Sequence, residues 1–371
     1  MTSRFAHRPA QSLGRTGGVD FAQGEGDEII AETIGRFAAD ELRPRLREFE
    51  AARAVSESVQ ERFAALGFAA LDIADDAGGA GLGLLARARI NRLLAEADAG
   101  AALALDRFAP AIYVIEAFGG VEILKSLAPD LAQSDVRFAL VMDPGAGDVA
   151  GACVAGQVAW TPAAGADVLV GLGPQGAWVL KEGFAFEPVH GAALHAAGAS
   201  SVRFEGTPTF TWHDPVCAAQ ALARIRVYYA SLIWGVLSDA AGFSRSYALD
   251  RVAFGKPIAH HQALAFLIVD MYVAVERLGL LIEDAALAID AGEGRAFGAA
   301  AAVFVDAIEA SRFVGPNGVQ ILGGHGFMRD FPVEKAMRDC RALGLLAGGY
   351  DAAREQAGAA LAATISERIA A

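Results

Sequence analysis

Cysteine is scarce in this chain of 371 residues, and the three that occur form no recognisable pattern. Cys153, Cys217 and Cys340 are far apart, odd in number and without the spacing of metal ligands. This argues against disulfide bonds and against a zinc site, so no metal is expected. A reducing cytoplasm is the expected location.

Basic residues are also few, because 31 Lys and Arg face 44 Asp and Glu and give a net charge of −13. General nucleic-acid binding needs clustered Lys and Arg to neutralise phosphates, and the sequence shows no such cluster. Nucleic acid is therefore not an expected partner. An anionic ligand must be bound by a few well-placed groups.

Long apolar runs are missing as well. The most apolar stretch, residues 227–243, is interrupted by Ser231, Ser238 and Asp239. It falls short of the roughly 20 apolar residues that a membrane-spanning helix requires. We predict a buried helix here and no membrane span.

What the chain does contain is 54% hydrophobic and 20% charged residues, which is typical of a globular protein with a large core. Apolar residues spaced by three and four predict helices in residues 26–132 and again in 216–371. Short apolar runs separated by Gly, Pro and Asp predict an antiparallel β-domain in residues 133–215. Residues 1–25 are interpreted as a flexible tail. The fold class is therefore α+β.

Several local features refine this interpretation. Pro44 is expected to kink or end the first helix, since it lacks an amide hydrogen. Four glycines predict a loop with freedom to adopt positive φ, but no strand precedes them and a nucleotide-binding βαβ unit is not supported; they are Gly78, Gly79, Gly81 and Gly83. A long amphipathic helix is predicted from an apolar stripe formed by Leu264, Leu267, Met271, Val275, Leu278, Ile282 and Ile289.

Two C-terminal segments resemble the signature segments of the acyl-CoA dehydrogenase family, over about twenty residues each. They are "RVAFGKPIAHHQALAFLIVDM" at 251–271 and "VQILGGHGFMRDFPVEKAMRD" at 319–339. The "GGAGLGL" loop, the weaker "VMDPGAGDVAG" at 141–151 and the α-β-α order extend the resemblance over nearly the whole chain.

The resemblance implies an N-terminal α-helical domain, a middle antiparallel β-domain and a C-terminal four-helix bundle. It also implies FAD extended between the β-domain and the bundle, with part of it crossing into a neighbouring subunit. Family members desaturate acyl-CoA thioesters between Cα and Cβ. A carboxylate takes the α proton and the flavin takes the β hydride, and electrons leave typically to an electron-transfer flavoprotein.

The first segment implies three cofactor contacts. Arg251 resembles the family arginine on the flavin pyrophosphate of the adjacent subunit, a role that suits a guanidinium because it binds phosphate oxygens bidentately. Phe254 and Gln262 look like adenine and pyrophosphate contacts. For Phe254 alone, a place in the core is the other interpretation.

The second segment implies a further contact across the subunit boundary. Gln320, Gly323 and Gly324 match it, and absent side chains would let the backbone approach the cofactor closely. Without the resemblance, the glycines would simply indicate the end of a helix. Three histidines have no acidic partner at metal or triad spacing and are interpreted as structural or surface residues: His260, His261 and His325.

The catalytic base of the family is missing. In many members a glutamate follows the "RD" by eight positions, where this chain has Ala347 and then Gly348 and Gly349. Other members place it upstream of the "FG" motif, where this chain has Ile225. Asp351 is a candidate for a relocated base, with a solvated aspartate at a helix start as the alternative.

Contacts to the chain's own flavin are degraded too. Met142 stands where the resemblance implies a threonine bonded to the isoalloxazine, and the following serine is deleted. Trp160 and Thr161 are kept without the usual spacing. Pro316 is expected to bend the helix that precedes the second segment.

Losses thus concentrate in the chain's own pocket, whereas residues that would reach a neighbour's FAD remain. The leading hypothesis is a subunit that completes the FAD site of a catalytic homologue, with a heterotetramer as the expected assembly. By analogy with heteromeric bacterial enzymes, a steroid side chain is a conceivable substrate. The alternatives are an autonomous homo-oligomer that uses Asp351, and a flavin-free scaffold.

Overall fold

The computed structural model describes residues 25–108, 110–128, 135–143, 145–146 and 153–370. The predicted flexible tail, apart from Glu25, and most of the "GAGDVAG" segment lie outside these residues. The N-terminal part is helical, with α1 (Glu25–Phe37), α2 (Leu46–Ala52), α3 (Glu57–Ala65), α4 (Gly83–Leu105) and α5 (Ala111–Leu127).

Two features shape these helices. Pro44 lies in a 3-10 turn, Arg43–Arg45, that separates α1 from α2, so the predicted interruption is confirmed. The α4 segment breaks at Asp98, whose backbone is extended, with φ −163° and ψ 112°. The Asp98 carboxylate accepts hydrogen bonds from the amides of Gly100 and Ala101, at 2.9 and 3.3 Å, and so caps the second half of α4. The predicted helical character of this segment holds on both sides of the break.

The middle part consists of two sheets. Their strands are β1 (Phe138–Met142), β2 (Val154–Thr161), β3 (Val168–Leu172), β4 (Gly176–Leu180), β5 (Phe184–Pro188), β6 (Ser200–Gly206) and β7 (Phe210–His213). One sheet has the order β1-β3-β4-β7 and the other the order β2-β6-β5. The predicted antiparallel pairing holds except between β1 and β3, which are parallel because β2 crosses to the other sheet between them.

The C-terminal part is again helical. It contains α6 (Pro215–Asp250), a short hairpin of β8 (Val252–Ala253) and β9 (Lys256–Pro257), α7 (Gln262–Asp290), α8 (Ala296–Leu322), α9 (Val333–Leu343) and α10 (Gly349–Ala370). The Asp214 carboxylate caps α6 through the amides of Val216 and Cys217, at 2.8 and 3.1 Å. The helix α8 continues through Pro316, and a bend there stays a prediction.

The predicted apolar helices are confirmed in this part. Residues 227–243 form the middle of α6, where Val227, Tyr228 and Ile233 are fully buried. On α7 the predicted stripe faces the core, with Met271, Val275, Leu278 and Ile282 buried. In the part of the chain that the structure describes, no helix combines the length and the apolarity that crossing a membrane requires. The domain boundaries near 132 and 215 stay a prediction.

A buried ionic cluster joins the three parts of the chain. The Lys335 ammonium of α9 donates to Asp98 Oδ1 at 2.8 Å and to Asp339 Oδ2 at 2.6 Å. Asp339 Oδ1 accepts a hydrogen bond from the amide of Leu194, at 2.7 Å, in the loop before β6. Burial alone would lower the pKa of Lys335, but the two carboxylates outweigh burial and raise it.

A second cluster lies beside it. The buried carboxylate of Glu50 in α2 accepts from Arg338 Nη2 at 2.7 Å and also pairs with Arg47. His195 Nδ1 lies 3.3 Å from Glu50 Oε1. Burial raises the pKa of Glu50, but the two guanidiniums outweigh it and lower the pKa from 4.5 to about 2.

We expect Glu50→Gln to lower the free energy of unfolding by about 2 kcal/mol at pH 7. Because the folded-state pKa of Glu50 is depressed, its contribution is complete above pH 4.5 and is lost as the pH falls towards 2. Urea unfolding of both proteins between pH 7 and pH 2.5 measures this. A difference that stays constant over this range would contradict the assignment.

Candidate functional site

A cavity of about 510 Å³ lies where the three parts of the chain meet. The N-terminal helices contribute Leu103 and Pro110, strand β1 contributes Phe138 and Leu140, and the loop after β2 contributes residues 161–167. From the C-terminal part come Tyr229 of α6 and Leu346, which precedes α10. The volume is in the range of small-molecule sites in proteins.

The carboxylates among the described residues that line this cavity are already engaged. Asp106 accepts from the Tyr228 hydroxyl at 3.1 Å and lies 3.4 Å from Arg87 Nη1. Asp167 Oδ2 accepts from the amide of Arg137 at 2.8 Å. Neither is placed as a free carboxylate ready to take a proton from a ligand.

The expected position of the catalytic glutamate is buried and apolar. Ala347 is 2% exposed, has φ 51°, and directly follows the cavity-lining Leu346. Gly348 and Gly349 follow with φ of 84° and 75°, so the turn into α10 uses left-handed backbone that favours glycine. A methyl group stands where a carboxylate is expected, and Ile225, at the alternative position, is fully buried in α6.

Asp351 lies in the first turn of α10 and is exposed to solvent. It does not line the cavity. An acidic residue in a first helical turn is favourable in itself, because it faces the positive end of the helix dipole. The catalytic role of Asp351 stays a prediction.

Arg226 on α6 is a candidate that the sequence reasoning missed. It is 2% exposed, and its Nη1 donates to Gln356 Oε1 at 2.5 Å, but its Nε and Nη2 have no hydrogen-bond partner. Burial lowers the pKa of Arg226 to about 10. Nε and Nη2 form one edge of the guanidinium, which matches a phosphate or carboxylate bidentately. The sequence signal was its place in an apolar helix, one turn before the cavity-lining Tyr229.

All of the residues predicted to reach a neighbour's cofactor are exposed. They lie on two segments near the C-terminal end of α6, and comprise Arg251, Phe254, Gln262, Gln320, Gly323 and Gly324. The Tyr247 hydroxyl lies 2.8 Å from His325 Nδ1, and this contact ties the second segment to that end of α6. His325 also stacks on Phe331 with ring centroids 5.0 Å apart, which is a structural role.

Phe254 is held in a strained and exposed position. It forms the two-residue turn between β8 and β9 together with Gly255, with φ of 53° and 81°. A bulky residue at positive φ costs on the order of 1–2 kcal/mol. The Phe254 side chain is 95% exposed, so the interpretation as a core residue is wrong. A strained aromatic side chain directed to solvent fits a contact with another molecule.

The three glycines after α8 differ in what they require. A side chain at Gly326 would come within 2.3 Å of the Val319 carbonyl oxygen, and Gly323 has φ 58°. Gly324 has neither constraint, since nothing lies within 4 Å of a Cβ placed there. Packing within the chain therefore gives no reason for a glycine at 324.

The outer face of α7 carries a row of exposed apolar side chains, which we call the α7 row: Phe266, Val269, Val273 and Leu280. Their spacing of three, four and seven residues places them along one side of the helix. Exposed apolar side chains aligned in this way are typical of sites of protein association, although the exposed Glu276 and Arg277 lie between Val273 and Leu280.

Two family models match the chain. "Acyl-CoA dehydrogenase, C-terminal domain" matches residues 216–362, and "Acyl-CoA dehydrogenase, N-terminal domain" matches residues 24–135. Together they cover well over half of the sequence. The chain belongs to the acyl-CoA dehydrogenase family, and the predicted fold class is confirmed.

Individual relatives agree with this assignment. Cyclohex-1-ene-1-carbonyl-CoA dehydrogenase of Geobacter metallireducens is 34% identical over 142 residues, which is 38% of this chain and 37% of that protein. The caffeyl-CoA reductase-Etf complex subunit CarC of Acetobacterium woodii is 37% identical over 123 residues, 33% of this chain and 32% of that protein. The matched stretch thus spans about a third of each relative. Butyryl-CoA dehydrogenase from Megasphaera elsdenii shares the fold, with a TM-score of 0.81 at 20% identity over 92% of this chain and 100% of that one.

We expect Phe254→Asn to raise the free energy of unfolding of the isolated chain by about 1 kcal/mol, because asparagine tolerates positive φ better than phenylalanine. Urea unfolding measures the change. Phe313→Asn, which replaces another exposed phenylalanine within α8, is the control and should bring no such gain. Equal or lower stability of Phe254→Asn would show that the turn is not strained.

Proposed function

We propose that this chain is a subunit of a heteromeric acyl-CoA dehydrogenase, in which it completes the FAD site of a catalytically intact homologue. One contrast carries the proposal. The positions expected to serve a neighbour's cofactor are kept and exposed, whereas both expected positions of the chain's own base, Ala347 and Ile225, are buried and apolar.

The exposed residues suit the two chemically distinct halves of a dinucleotide. Arg251 would bind pyrophosphate oxygens through its guanidinium, and the amides of Gln262 and Gln320 would add hydrogen bonds. Phe254 would stack on the adenine ring. Gly324 would let the backbone approach the cofactor without a side chain between them. When bound, FAD supplies the acceptor for the hydride that leaves the β carbon.

The chain's own cavity fits the binding of a thioester better than its oxidation. The apolar residues that line it, among them Leu103, Phe138 and Leu140, suit an acyl chain. Met142 ends β1 without the hydrogen-bonding group expected towards the isoalloxazine, although Thr161 lines the cavity. Loss of a positioned base commonly costs on the order of 10²–10⁴ in rate, so turnover would occur in the partner's cavity.

Electron transfer completes the proposal. An electron-transfer flavoprotein is the proposed recipient of the electrons, and this is supported by the Acetobacterium relative, which is named as a subunit of a caffeyl-CoA reductase-Etf complex. The α7 row supplies apolar surface that an assembly with a homologous chain would cover.

The test compares the flavin content of the chain purified alone with that of the complex that co-purifies with a glutamate-bearing homologue. We expect little flavin in the isolated chain and stable FAD in the complex. One flavin per isolated chain, with bleaching by substrate, would instead identify an autonomous enzyme and direct attention to Asp351. Absence of flavin from every complex would instead identify the chain as a flavin-free scaffold.

In the complex, Arg251→Ala and Gly324→Leu should each weaken FAD retention at least tenfold. The first removes a charge-assisted bond to phosphate, worth on the order of 1.5–3 kcal/mol, and the second puts a side chain where the cofactor lies. The FAD dissociation constant, measured by fluorescence after partial removal of flavin, reports the effect. Arg36→Ala on α1 is the control. Unchanged retention in both variants would refute the proposed site.

A further inference from the structure

Three arginines line the cavity: Arg53, Arg107 and Arg137. Arg107 and Arg137, together with Gln60, also line a second cavity of about 320 Å³. These side chains therefore form the wall between the two cavities. Acidic residues line these cavities too, namely Asp106 and Asp167 in the first and Glu57, Glu61 and Asp135 in the second, so the arginines matter only where they are not already paired.

The guanidinium of Arg137 has no carboxylate partner. It donates to Gln60 Oε1 and, at 3.4 Å, to the carbonyl oxygen of Ala104. Among the described residues no Asp or Glu side chain lies within ion-pair distance of it. Burial lowers the pKa of Arg137 and the neighbouring charge of Arg107 lowers it further, while Asp167 and Asp135 act in the opposite direction without outweighing them. The guanidinium nevertheless stays protonated and would gain from a nearby anion.

The remaining charges around the cavity offset the charge of Arg137 only in part, through Asp167 and Asp135. Arg107 pairs with Asp135 at 2.7 Å, but the Asp135 side chain is fully exposed, and such pairs contribute little. Arg53 donates to the carbonyl oxygen of Val189. Asp106 is bound to Tyr228, and Asp167 accepts from the backbone amide of Arg137 and not from its guanidinium.

Part of the remaining wall is apolar and includes Leu103, Phe138, Leu140 and Leu346. A ligand that matches this wall has an apolar body and an anionic end. We propose that the cavity takes an acyl group that itself carries a carboxylate, and that this carboxylate lies on Arg137 and Arg107. The inference rests on the proposed function for the CoA thioester; the carboxylate is its new element.

Two probes of equal chain length test the proposal: octanoyl-CoA and suberyl-CoA, which differ in one terminal carboxylate. Isothermal titration of the full chain should show suberyl-CoA binding at least tenfold more tightly. Arg137→Gln should remove this preference and leave octanoyl-CoA unaffected. Arg137→Lys keeps the positive charge but cannot bind a carboxylate bidentately, so it should keep part of the preference for suberyl-CoA.

Arg312→Gln, on the exposed side of α8, is the matched control and should bind like the parent chain. Thermal unfolding of each variant checks that it is folded. If Arg137→Gln does not fold, Arg137→Lys replaces it as the test variant.

Equal affinity for the two probes would overturn the proposal and leave the proposed function intact. If Arg137→Gln weakened both probes equally, the arginines would bind the phosphates of coenzyme A, and the carboxylate proposal would again be wrong. Binding of neither probe would overturn it as well. The proposed function is then judged separately by FAD retention in the complex, which does not depend on this cavity.

Discussion

The ionic contact of Lys335 with Asp98 and Asp339 determines how the three parts of this chain meet. One ammonium and two carboxylates are buried together, and removal of Lys335 would leave two buried carboxylates without a cation, which costs on the order of 3–5 kcal/mol. Asp98 belongs to the break in α4, Lys335 and Asp339 to α9, and the Leu194 amide to the loop before β6. The cavity opens where these elements join, so its shape depends on this cluster.

Much of the fold was predictable because its signals are local. The buried stripe of α7 follows from the spacing of apolar residues, and the interruption of the first helix follows from the chemistry of Pro44. The break in α4 was not predictable, because Asp98 is fixed by Lys335, which lies 237 residues further along the chain. The parallel pairing of β1 with β3 likewise depends on β2 leaving for the other sheet, and no local pattern encodes that choice.

The candidate site was likewise predictable only in part. Matching of the two signature segments located Arg251, Gly324 and the absence of a base at Ala347. It did not decide between core and surface for Phe254, which the exposure of the side chain settles. Arg226 and Arg137 escaped notice, because the sequence does not show whether an arginine finds an acidic partner. That depends on side chains brought together by distant segments, and within the described structure neither guanidinium forms an ion pair with a carboxylate.

The α7 row also affects the solubility of the chain. Four large apolar side chains along one helix face form a surface that favours association in water until another chain covers it. In the proposed complex, synthesis of this chain would have to be balanced with that of its homologous partner, because surplus chain would self-associate through the α7 row and be lost to precipitation or degradation.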